Sequence, residues 1–141
     1  MTDIFGLLAD EAEDLLGHAC AGIPASMLHL PGPDFVDRVM TQSDRKPTVL
    51  RAFQTLLGHG RLGGTGYLSI LPVDQGFEHG PDRSFGPNPP AYDPCYHPDL
   101  AIEAGCNGYA APLGQLEAAA DRYPGVLPLI LKANNSDGMG G

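Results

Sequence analysis

The chain has 141 residues, of which 43% are hydrophobic and 18% charged, and its formal net charge is −9. These values are typical of one soluble globular domain and exclude a disordered chain. The acidic charge argues against nucleic acid or an anionic membrane as the main partner, although a local pocket can still bind an anionic substrate. Because the N-terminus is acidic and no apolar stretch reaches about 18 residues, we expect a cytoplasmic protein without a membrane segment.

The first half of the chain carries helical patterns. Helices are predicted over residues 3–16, 34–40 and about 47–58. Pro47 suits the first turn of the third helix, and the glycines from Gly58 onward end it. We therefore assign residues 1–64 to a helical N-terminal extension.

The second half alternates apolar strands with helices. Strands are predicted over residues 67–73, 108–112 and 126–133, and helices over 98–104 and 115–122. Residues 76–98 form a long loop rich in proline and glycine, and residues 134–141 are predicted to be a loop as well. Strands that alternate with helices indicate an α/β fold, with a parallel sheet or barrel and right-handed crossovers.

Two charged residues end apolar strands. Asp74 closes the first predicted strand and Lys132 occupies the equivalent end of the third. A carboxylate is costly to bury without a partner, and its simplest structural role is to cap the following loop. The carboxyl ends of parallel strands lie at the same end of a sheet or barrel, so Asp74 and Lys132 are expected at that end together. This placement favours a catalytic role for Asp74. Lys132 can also extend simply to solvent.

Three other site types fit the sequence less well. Residues 58–63 match the GxGxxG string, but they follow a helix and precede a strand, which is the wrong context for dinucleotide binding. A nucleophile triad and a metal site remain alternatives, although neither has the expected spacing. The candidates for the triad are Ser69, Asp74, His79 and Ser84. The candidates for the metal site are Glu78, His79, Cys95, His97 and Cys106. His18, His29, His59 and His97 are otherwise expected to be surface or capping residues.

Residues 71–81 read LPVDQGFEHGP, and this string resembles the first barrel strand of class I fructose-bisphosphate aldolases of the archaeal and bacterial Schiff-base branch. Further similarity extends over most of the chain and is weakest over about the first 29 residues. It includes residues 30–32, 37–40, 60–62, 66–70, 88–89, 101–107 and 129–132. The resemblance implies a (β/α)₈ barrel, of which residues 65–141 would form about the first three strands.

The resemblance also implies a reaction and its participants. The family reversibly cleaves fructose 1,6-bisphosphate to dihydroxyacetone phosphate and glyceraldehyde 3-phosphate through an imine on a lysine, without a metal or another cofactor. Asp74 would be catalytic, and His79 and Lys132 would bind the phosphorylated sugar. The imine lysine is expected on a later strand, so the chain alone is expected to be inactive; the full-length protein is expected to be a homo-oligomer. The alternatives are a metal-dependent lyase using His79 and His97, and a non-catalytic interaction fragment with an open sheet edge.

Overall fold

The computed structural model describes residues 3–74 and 79–133. Glu78 and the predicted loop over residues 134–141 lie outside these ranges. The chain forms two compact units, Met1–Leu30 and Pro31–Gly141, and the predicted division after residue 64 stays a prediction. Within the described ranges, no helix is long and apolar enough to cross a lipid bilayer.

The first unit contains two short helices where one continuous helix was predicted. These are α1 (Ile4–Leu8) and α2 (Ala12–Gly17), and a 3₁₀ turn joins them. Asp3 caps α1, because its carboxylate accepts a hydrogen bond from the Gly6 backbone N–H at 3.1 Å. The α-helical pattern stops where Ala9 adopts a φ of 45°, a conformation that α-helices do not contain.

The second unit begins with two helices and continues into a parallel sheet. The helices are α3 (Phe35–Arg38) and α4 (Pro47–Gly58). The strands are β1 (Ile70–Pro72), β2 (Gly108–Ala111) and β3 (Leu129–Leu131). Their order in the sheet is β1-β2-β3, and both neighbouring pairs are parallel. The predicted parallel α/β arrangement is confirmed for this three-stranded sheet, although each strand is shorter than predicted.

Three further helices lie between and after the strands. They are α5 (Pro81–Phe85), α6 (Tyr96–Ala104) and α7 (Leu113–Ala120). The last two agree with prediction to within a few residues. The first lies inside the segment predicted to be a loop, as does a 3₁₀ helix at Pro89–Tyr92. In both cases a proline occupies an early helical position, where its missing N–H costs nothing.

One face of the sheet forms the core. Leu71 and Val73 of the first strand region and Tyr109 and Ala111 of β2 lie on this face, because side chains alternate along a strand. The helices α6 and α7 cover it with Ala101, Leu116 and neighbouring residues. The helices α6 and α7 therefore lie against the same face of the sheet.

The opposite face is much less covered. Ile70 is 38% exposed, and Pro72 on the same face is also exposed. The helix α4 reaches this face at the N-terminal end of the strands, where a Cβ on Gly108 would lie 3.0 Å from Cδ1 of Leu56. We call this the open face of the sheet. Helix α4 covers it at the N-terminal end of the strands, and it is accessible toward their carboxyl ends.

The glycine-rich string at residues 58–63 ends a helix, as predicted. The helix α4 stops at Gly58, and Gly60 has a φ of 72°. A Cβ at Gly60 would lie 2.5 Å from the carbonyl oxygen of Gly105. These glycines therefore allow the chain to turn and pass close to another backbone segment, which is a structural role.

Candidate active site

Asp74 and Lys132 meet at the carboxyl end of the sheet. Asp74 follows β1 and Lys132 follows β3, and both alternate onto the open face. The two strands are separated by β2 and hence by about 10 Å, a distance that the long lysine side chain spans. Nζ of Lys132 forms an ion pair and hydrogen bond with Oδ2 of Asp74. The structure therefore brings together Asp74 and Lys132, the two charged residues that were predicted to end apolar strands.

This pair is partly accessible to solvent. The side chains of Lys132 and Asp74 are 24% and 31% exposed, respectively. An ion pair at such a position contributes only modestly to stability, on the order of 1 kcal/mol or less. Its position at the carboxyl end of the sheet favours a role in binding or catalysis over a role in stabilising the fold.

The surroundings favour the ionised form of Asp74. The hydrogen bond from Lys132 is the main cause that lowers the pKa of the Asp74 carboxyl below its ordinary value, and the positive charge of Lys132 acts in the same direction. The charge of His79 makes a smaller contribution of the same sign, while partial burial opposes these effects. Asp74 is therefore a carboxylate at neutral pH and can accept a proton or stabilise a cation.

His79 follows Asp74 by five residues, and its side chain is exposed. A charge on its ring contributes to the lowered pKa of Asp74. An exposed imidazole beside an ion pair can donate a hydrogen bond to an anionic ligand. A substrate-binding role for His79 stays a prediction.

Ser69, one candidate nucleophile of the alternative triad, does not lie beside Asp74. Ser69 precedes β1 and Asp74 follows it, so the two residues lie at opposite ends of one strand. The hydroxyl of Ser69 instead lies 3.8 Å from Sγ of Cys106. A serine nucleophile and its acid would have to be close enough to act through one histidine, and Ser69 and Asp74 are not.

The alternative metal site is not formed among the described residues either. No three His, Cys, Asp or Glu side chains come together there. His97, predicted to be a surface or capping residue, is only 8% exposed, so the prediction of a surface position was wrong. Its Nε2 lies 3.1 Å from the Ala91 carbonyl oxygen, and its ring packs against Phe85 and Tyr96. Phe85 and Tyr96 both lie in the segment predicted to be a loop, so the sequence did not indicate that they would pack against His97.

The burial of His97 predicts a pH dependence of stability. Burial lowers its pKa below the ordinary value of 6.5, against a smaller opposite effect of the Ala91 hydrogen bond. The unfolded chain therefore binds a proton first as the pH falls, and stability decreases below about pH 6.5. We expect up to about 1 kcal/mol to be lost between pH 7.5 and 5.5, measured by urea unfolding. His97→Phe should reduce this loss, and the matched change His18→Phe at an exposed position should not; equal slopes for both variants would contradict the assignment.

Sequence reasoning also missed a buried polar residue at the other end of the sheet. Asn107 is fully buried and joins the end of α4 to the starts of β1 and β2 through its amide and backbone. An asparagine in a short turn before a strand is ordinarily a turn residue, so its sequence position gave no signal of this role. It fixes the end of the sheet opposite to the ion pair.

Together these features define an α/β protein with a carboxylate, an amine and an imidazole at the carboxyl end of a parallel sheet. Three chlamydial proteins that match this chain are each named "Probable fructose-bisphosphate aldolase class 1". Those of Chlamydia muridarum (strain MoPn / Nigg) and Chlamydia trachomatis serovar D are each 49% identical over 137 residues, and that of Chlamydia pneumoniae is 44% identical over the same length. The predicted resemblance to class I fructose-bisphosphate aldolases is therefore confirmed.

The alignments cover nearly all of this chain but less than half of each relative. Each alignment covers 97% of this chain but 39% of the relative, so the chain spans about two fifths of the length of these curated relatives. No protein-family model matches the chain. No solved structure matches it.

Proposed function

We propose that this chain forms the first part of a class I fructose-bisphosphate aldolase. The reaction would be the reversible cleavage of fructose 1,6-bisphosphate to dihydroxyacetone phosphate and glyceraldehyde 3-phosphate. The names of the three relatives support an aldolase function. The observation that carries the proposal is the ion pair between Asp74 and Lys132 on the open face of the sheet, at the carboxyl end of its strands.

The sheet is compatible with the start of a (β/α)₈ barrel. In such a barrel the helices cover the outer face, the inner face holds side chains of the strands, and the chemistry lies at the carboxyl ends. Here α6 and α7 cover one face, while Asp74 and Lys132 alternate onto the other. Residues 65–141 would then supply about three strands of the barrel, with α4 closing its N-terminal end.

The charges suggest a division of roles. Asp74, ionised at neutral pH, would stand beside the imine-forming lysine and assist proton transfer. Lys132 would offer its positive charge to substrate oxygens once substrate enters, and His79 would line the mouth. The imine withdraws electrons from the carbanion that remains after the carbon–carbon bond breaks. No metal is needed for that step.

Lys132 is a poor candidate for the imine lysine itself. An imine forms only from an unprotonated amine, and Nζ of Lys132 is engaged with a carboxylate. The sequence has one other lysine, Lys46, which immediately precedes α4 and does not follow a strand. We therefore propose that the imine lysine lies outside the 141 residues.

Borohydride trapping tests this proposal. The isolated chain, incubated with dihydroxyacetone phosphate and sodium borohydride, should give no covalent adduct by mass spectrometry. A chimera in which this chain replaces the aligned segment of the C. muridarum relative (the aldolase chimera) should give one adduct, on a lysine contributed by the relative. The Lys132→Met chimera should still be trapped. An adduct on Lys132, or a chimera that cannot be trapped while it is folded, would contradict the proposal.

A further inference from the structure

The short helix α5 carries an exposed cation after the first strand. Arg83 is the third residue of this helix (Pro81–Phe85), and it is exposed. The chain reaches α5 after it has left β1 at the carboxyl end of the strand. The helix begins two residues after His79, and the Ser84 backbone N–H donates to the Gly80 carbonyl oxygen at 3.2 Å. Arg83 therefore lies within one helical turn of the segment that carries His79.

Aromatic packing fixes the orientation of α5. Its last residue, Phe85, is only 8% exposed, and its ring centroid lies 5.4 Å from that of His97 in α6 and 5.6 Å from that of Tyr92. Side chains two positions apart on a helix point about 200° apart. Phe85 therefore faces α6, whereas Arg83 points away from α6 and from the core. The adjacent Asp82 is about 100° from Arg83 around the helix, so the two side chains do not face each other.

The other cations of the chain lie elsewhere or are already engaged. Nη2 of Arg122 lies 3.7 Å from Oδ2 of Asp99. Lys132 is held by Asp74, so that pair has almost no net charge at neutral pH. Within the described part of the chain, no carboxylate forms an ion pair with Arg83. The remaining five of the eight lysines and arginines all precede β1, and they are Arg38, Arg45, Lys46, Arg51 and Arg61.

We propose that Arg83 binds a phosphate group of the substrate, an inference that rests on the proposed function. Fructose 1,6-bisphosphate has two phosphate monoesters, and each carries a charge of about −1.5 to −2 at pH 7. The net charge of −9 on the chain repels such an anion, so a cation near the site has to offset the repulsion. The planar guanidinium of an arginine suits this role, because it donates two parallel hydrogen bonds to phosphate oxygens.

Steady-state kinetics of the aldolase chimera test the inference. Arg83→Met should raise KM for fructose 1,6-bisphosphate by at least about tenfold, because it removes charge-assisted hydrogen bonds to the substrate. It should leave kcat within about threefold, because the imine lysine and Asp74 are unchanged, and it should weaken competitive inhibition by inorganic phosphate. Arg83→Lys keeps the charge and should recover most of the affinity. The matched control is Arg51→Met in α4, which removes an exposed arginine that precedes β1 and should leave KM within about twofold.

Each outcome has a clear consequence. An unchanged KM for Arg83→Met, or an equal rise for Arg51→Met, would overturn the inference. Fructose 1-phosphate identifies the phosphate group: a loss confined to the bisphosphate assigns Arg83 to the phosphate at C6, and an equal loss for both substrates assigns it to the phosphate at C1. Borohydride trapping separates the two proposals. A folded chimera with Arg83 intact that cannot be trapped refutes the proposed function, whereas a trapped chimera whose inhibition by phosphate does not depend on Arg83 refutes this inference alone.

Discussion

Replacement of Asn107 by leucine is expected to destabilise the protein by about 3–5 kcal/mol, a large part of the stability of an ordinary domain. The side-chain amide donates to the carbonyls of Leu56 at 3.0 Å and His59 at 2.6 Å. Its oxygen accepts from the Ser69 backbone N–H at 2.8 Å. Leucine has nearly the same volume but removes these three hydrogen bonds at a residue that is fully buried; of the three groups, the Leu56 carbonyl keeps a bond from the His59 backbone N–H. Urea unfolding of the isolated chain measures the effect.

Two further variants separate the causes. Asn107→Asp keeps the acceptor for Ser69 but replaces the donor with a carboxylate that faces two carbonyl oxygens, so it should also destabilise strongly above pH 5 and less in acid. Asn88→Leu is the matched control, because Asn88 donates one exposed hydrogen bond to Tyr96 at 3.1 Å. It should cost about 1 kcal/mol or less. If Asn107→Leu costs no more than Asn88→Leu, the buried amide does not hold α4 to the sheet.

The sequence predicted the strands and long helices because their patterns are local. Apolar runs that alternate with helical segments indicate parallel strands wherever they occur, and the observed sheet follows that order. The boundaries were less predictable. The predicted strand over residues 67–73 is a strand only at Ile70–Pro72, because a residue joins a sheet only where a neighbouring strand can pair with it.

The candidate site was predictable for a related reason. Asp74 and Lys132 both interrupt apolar runs, and the geometry of parallel sheets places their ends together. The contact between them depends on side-chain reach across β2, which sequence spacing alone does not give. Asn107 and His97 were missed because their partners, Leu56 and Phe85, are distant in the sequence or lie in a segment predicted to be a loop.

In the aldolase chimera, Asp74→Asn is expected to lower kcat/KM for fructose 1,6-bisphosphate by about 10²–10⁴-fold, the usual contribution of general acid–base catalysis. The amide keeps the shape of the side chain but cannot take up a proton or carry the negative charge that now faces Lys132. Stability should change by on the order of 1 kcal/mol or less, because the pair is partly exposed. A coupled assay of product formation and thermal unfolding of the same samples separate loss of chemistry from loss of folding.

Comparison with Lys132 tests whether the two residues act as a unit. Lys132→Met should mainly raise KM, because it removes a positive charge offered to the substrate, and the double variant should lose less than the sum of the two single free-energy losses. Asp82→Asn in α5 makes the same chemical change at an exposed position and should leave turnover within about twofold. If Asp74→Asn retains more than a third of the activity, or if the losses are strictly additive, the pair is a surface contact and the chemistry belongs to other residues of the chimera.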